Sequence, residues 1–74
     1  MAKTQFEIIE VLHQFPKAEN AVYRKELCVV EWFGNGPKYD LRGWNEDHTK
    51  MTKGIILTEE ELKELVEVAE GFLY

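Results

Sequence analysis

Cysteine is almost missing from this chain: Cys28 stands alone among 74 residues. That excludes an internal disulfide and a multi-cysteine metal site, and it suits a reducing compartment. The cytoplasm is the expected location, on the nucleoid if the source is bacterial. No apolar run approaches the roughly 20 residues a membrane-spanning helix needs, and the first residues lack the basic stretch and long apolar core of a signal peptide, so neither is expected. Nothing rich in proline or glycine marks a linker, and no repeat divides the chain. Catalytic signatures are missing too. His13 and His48 sit in no HExxH or CxxC setting, no Walker A loop, dinucleotide fingerprint or GxSxG elbow occurs, and Cys28 falls mid-strand, where a thiol is ordinarily inert. No enzyme, metal or cofactor is expected.

What is present is a single small domain, residues 1–74, with 45% hydrophobic and 31% charged residues. A chain this short buries only about 60% of its unfolded surface, so a second copy of itself is the expected source of additional stability. Cations are scarce: the net charge is -5. The excess is local, because Glu59, Glu60, Glu61, Glu64, Glu67 and Glu70 face only Lys63 in the C-terminal segment, whereas residues 1–57 balance. Charge alone therefore neither supports nor excludes a phosphate-binding surface.

The fold class predicted is α+β, with four antiparallel strands followed by one amphipathic helix. Phe6–Leu12 is rich in β-branched and aromatic residues, although Glu7 and Glu10 interrupt it at a spacing that fits neither the strand nor the helix period. Val22–Phe33 alternates as a second strand. Gly34-Asn35-Gly36-Pro37 marks a hairpin turn. In the third strand, Lys38–Trp44, Tyr39 and Leu41 share one face while Asp40, Arg42 and Trp44 share the other, so one face is expected to be core and the other functional. A polar loop, Asn45–Thr52, leads to a short strand, Lys53–Leu57. Leu62, Leu65, Val66, Ala69, Phe72 and Leu73 then recur at helical spacing, which predicts a helix from Glu59 to Phe72 whose apolar face serves as core and dimer interface. Thr58 and Glu61 form the capping box that starts it.

The pattern with chemical content is aromatic residues interleaved with cations: Trp32, Lys38, Arg42, Trp44, Lys50 and Lys53. Bases stack on aromatic faces for about 1–3 kcal/mol each while cations follow the phosphates, the combination that binds single-stranded nucleic acid. Arg42 and Trp44 lie about 7 Å apart on one strand face, within reach of adjacent parts of a strand. Arginine and tryptophan are equally at home on the wet face of an ordinary antiparallel sheet, and Trp32 beside Phe33 suits the core as well as a surface.

From Glu26 to Glu61 the residues resemble the transcriptional positive cofactor family, named for the single-stranded-DNA-binding domain of the coactivator called positive cofactor four, and within it the small stand-alone bacterial YdbC-like branch. The match is carried by ELCVVEWF, the GNG turn, Asp40-Leu41-Arg42-Gly43-Trp44, and, after a loop, Lys53-Gly54-Ile55-Ile56-Leu57 running into a capped helix. The resemblance implies a homodimer joined through its helices, presenting sheet surfaces to single-stranded DNA in transcription or another process that exposes single strands. It implies that Arg42 and Lys53 contact DNA, that Trp44 is the aromatic ending the third strand, that Trp32 or its neighbour Phe33 stacks a base, and that Lys38 is the hairpin's basic residue. Lys50, in the loop, is a further candidate. Glu31 stands where the eukaryotic domain has an arginine, which implies weaker affinity and more reliance on stacking. Stacking does not read the sugar, so single-stranded RNA stays open as a ligand. A protein-interaction module using the same sheet and the acidic helix is the rival reading.

Overall fold

A computed structural model describes residues 6–73 of the chain. Four strands, β1 (Phe6–Gln14), β2 (Arg24–Trp32), β3 (Pro37–Trp44) and β4 (Met51–Leu57), precede one helix, α1 (Glu59–Leu73). The strands form one antiparallel meander in the order β1-β2-β3-β4, as the alternation and turn signals predict.

The odd spacing of β1 has a structural reason. Ile8 opposes Val30 but Glu10 opposes Val29, and Val11 opposes Cys28 but His13 opposes Leu27, so Ile9 and Leu12 are each inserted as an extra residue. Each insertion resets the alternation. Glu7, Glu10 and His13, three residues apart, therefore share the face of Glu31, Val29 and Leu27, while Phe6, Ile8 and Val11 share that of Trp32, Val30 and Cys28. The bulges also distort an edge strand that would otherwise offer itself for pairing.

Among the described residues, the fully buried side chains are Glu26, Cys28, Val30, Asp40 and Trp44. All five belong to one face, because Val30, Cys28, Glu26 and Arg24 oppose Lys38, Asp40, Arg42 and Trp44 in that order. This reverses one expectation. The Asp40-Arg42-Trp44 face of β3 is the better buried, while Tyr39 and Leu41 opposite are only half-buried. Phe6 is the physical reason on the β1 side: its ring lies 5.2 Å from that of Trp32 and 5.3 Å from that of Trp44.

Helix α1 starts as its capping box requires. The Thr58 amide donates to Glu61 Oε1 at 2.9 Å, and the Glu61 amide donates to Thr58 Oγ1 at 3.1 Å. Most of its apolar stripe, however, is left uncovered by the described residues. The helix buries none of its residues: Leu62 and Ala69 are half-buried, and Leu65, Val66, Phe72 and Leu73 are exposed, Phe72 at 83%.

Candidate nucleic-acid interface

Asp40, wholly buried, organises the middle of the sheet. It accepts a 2.7 Å hydrogen bond from Arg42 Nε and a 3.2 Å hydrogen bond from Trp32 Nε1. The Arg42 guanidinium thereby lies over the Trp32 ring, 4.7 Å from its centroid, a stack stabilised by the ring's negative face. Arg42 Nη1 reaches Met51 Sδ at 3.3 Å. Gly54 opposes Arg42 across β3 and β4, and any Cβ there would collide with Arg42 Cβ and the Leu41 carbonyl oxygen. The glycine of the Lys53-Gly54-Ile55 motif thus leaves the space in which the arginine lies flat.

The hairpin supplies the open aromatic. The Asn35 amide donates to the Trp32 carbonyl at 2.9 Å, and the two residues between, Phe33 and Gly34, take φ of 55° and 74°. Positive φ at both central positions gives the turn a twist matching its strands. For Gly34 this is free, but for phenylalanine it costs about 1–2 kcal/mol. The strained residue carries a ring that is 66% exposed and 6.2 Å from Trp32. Strain of this kind gathers at functional sites. The glycine-proline signal at Gly34–Pro37 lies two residues beyond the observed turn, Trp32–Asn35, and left Trp32 and Phe33 as alternatives, because a phenylalanine carries no turn signal that would have separated them.

The other expected residues divide. Lys38 is half-buried on the face of Asp40 and Arg42; Lys53 and Lys50 are exposed, on β4 and in the loop before it. Trp44 requires correction as a stacking residue: it is 1% exposed, packed between Phe6 and His48, whose ring centroid is 5.5 Å away. It offers no open face to a base. Its Nε1 is buried without a partner among the described residues, a cost of about 1–3 kcal/mol. Arg24, which opposes Trp44, shares the face of Trp32 and Arg42 and was missed. Counting back by twos from Trp32 would have found it.

Glu26 ties three segments together. It is 2% exposed and accepts from Gln14 Nε2 in β1 at 2.9 Å, from Cys28 Sγ at 3.6 Å and, in the β3–β4 loop, pairs with His48 Nε2 at 2.8 Å. Burial opposes its negative charge, but the hydrogen bonds of His48 and Gln14 and the charge of His48 prevail, holding its carboxyl below the ordinary range. His48 takes a φ of 60° to make this bond. Cys28 is pushed up to about 12 by burial and by the neighbouring negative charge of Glu26 and Asp40, so it stays a protonated thiol.

A cation stacked on an aromatic, an exposed ring beside it and Lys38 on the same face define a surface suited to stacking and phosphate contact, whereas Lys53, next to the Gly54 that opposes Arg42, falls on the other face of the sheet. The family comparison agrees. The chain belongs to the family Transcriptional Coactivator p15 (PC4), whose model matches residues 22–68, from just before β2 into α1. This is a non-catalytic family that binds single-stranded DNA. An uncharacterised protein of Treponema pallidum (strain Nichols) is 46% identical over 37 residues, which cover 50% of this chain and 44% of that relative.

Proposed function

We propose that the protein is a homodimeric single-stranded-DNA-binding protein of low sequence preference, acting as a coactivator or regulator of transcription. The observation that carries this reading is the exposed Phe33 ring, held on a left-handed turn beside the Arg42–Trp32 stack. Phe33 stacks a base. Trp32, already covered by Arg42 and flanked by Phe6, presents what remains of its surface to the next one. Arg42, Lys38, Lys53 and Lys50 meet phosphates, and Trp44 supports the surface from beneath.

Dimerisation rests on α1. Its stripe of Leu62, Leu65, Val66, Ala69, Phe72 and Leu73 is left largely uncovered in the single chain, and a second copy of the same stripe would cover it. The treponemal relative supports placing the chain in the family's small bacterial branch. Fluorescence anisotropy of a labelled oligo-dT, set against a duplex and an RNA of equal length at two salt concentrations, tests the reading. Salt-sensitive binding that favours the DNA single strand is expected. Preference for RNA would change the ligand, and indifference to all three would assign the sheet to a protein partner.

A further inference from the structure

At the end of the Asp40 face remote from the hairpin lies a cleft of about 800 Å³, the size of a small-ligand site. Lys17 and Arg24 line it, as do Asn45, Glu46 and Asp47 from the β3–β4 loop, together with Trp44. It is continuous with the proposed DNA surface: Arg24 opposes Trp44 on the face that carries Arg42 and Lys38. Arg24 and Trp32 lie at the two ends of β2, about 26 Å apart along the strand.

Charges of both signs line this cleft, and together they narrow the ligand. A simple anion drawn by Lys17 and Arg24 is repelled by Glu46 and Asp47, and an apolar molecule leaves all four unmatched. A nucleotide whose base carries an exocyclic amine matches both sets, its phosphate meeting the cations and its amine donating to a carboxylate, as cytosine N4 does in base recognition. Thymine has no such amine. The acids have acceptor capacity to spare: Asp47 accepts from Thr49 only through Oδ1, and Glu46 makes no side-chain hydrogen bond among the described residues.

We propose that this cleft is a nucleotide subsite for a single strand lying along the Asp40 face, and that its carboxylates favour cytosine over thymine there. The inference rests on the reading of the protein as a single-strand binder.

Anisotropy titrations of labelled oligo-dC and oligo-dT of equal length, at neutral pH, test it. The wild type is expected to bind oligo-dC several-fold more tightly, and Glu46→Ala with Asp47→Ala, which removes every side-chain acceptor at the two positions, to bring the two affinities together. Lys17→Ala, at an exposed loop position, is expected to lower the salt slope by about one phosphate's worth. Arg24→Gln should do the same, with circular dichroism checking the fold, since Arg24 Nη1 also donates to the Phe15 carbonyl at 2.9 Å. Equal affinity for the two strands, a cytosine preference that survives the paired acid substitutions, or an unchanged slope in Lys17→Ala would overturn the subsite. If Phe33→Gly and Arg42→Ala still weaken binding in that case, the broader reading stands without the cleft; if the wild type binds neither strand, both fall.

Discussion

The Asp40 face and helix α1 are built from opposite materials. The face buries two carboxylates, Glu26 and Asp40, and provides partners for both from within the chain. The helix leaves leucine, valine and phenylalanine in water. Buried charge is tolerated only where geometry and hydrogen bonds offset desolvation, so the face is a finished and rigid structure. Exposed apolar area of this extent on a helix marks a surface whose partner lies outside the chain. On the function proposed above, the first region receives the ligand and the second is completed by a second copy of the chain.

The largest effect is expected at the unfinished region. Val66→Asp together with Leu73→Asp should halve the mass in sedimentation equilibrium and make thermal stability independent of protein concentration. A two-chain mass that survives both substitutions would place the dimer contact elsewhere. Next comes the finished region. Asp40→Ala leaves the Arg42 guanidinium without its carboxylate and should cost about 3 kcal/mol in urea unfolding. Phe33→Gly separates binding from folding: relief of the left-handed strain should keep stability within about 1 kcal/mol of wild type, while oligo-dT affinity falls by about 1–3 kcal/mol for the lost stack.

The smallest effect concerns acid. The Glu26 carboxyl titrates below its ordinary range in the folded chain, so the stability it contributes is present above that range and is lost as pH falls through the lowered value. Urea midpoints measured from neutral pH down to about pH 3, below the ordinary glutamate value near 4.3, should fall less steeply for Glu26→Gln than for wild type. Parallel slopes would remove Glu26 from the acid response.

Element order, the existence of the hairpin and the capping box were legible because alternation, glycine-rich turns and the Thr58–Glu61 pair are local signals, while the turn itself falls two residues before its glycine-proline signal. The double bulge of β1 was visible only as a broken period, Glu7, Glu10, His13, whose meaning depends on the partner strand. Which face of β3 is buried was not legible, because it depends on Phe6 reaching Trp32 and Trp44 from a distant strand. The candidate site divides along the same line. Arg42, Lys38 and Trp32 were singled out by the interleaving of aromatics with cations and by the family resemblance, and the structure brings the three to one face. The accessible aromatic is Phe33 rather than Trp44, because exposure is a property of the folded surface.

On the function proposed above, a single strand lies on the Asp40 face and leaves the helix alone. An amide and side-chain N–H chemical-shift titration with oligo-dT tests it most directly. Shifts are expected at Phe33, Lys38, the Arg42 Nε–H and the Trp32 indole N–H, with α1 unmoved. Shifts confined to α1, or none at saturating oligonucleotide, would contradict it.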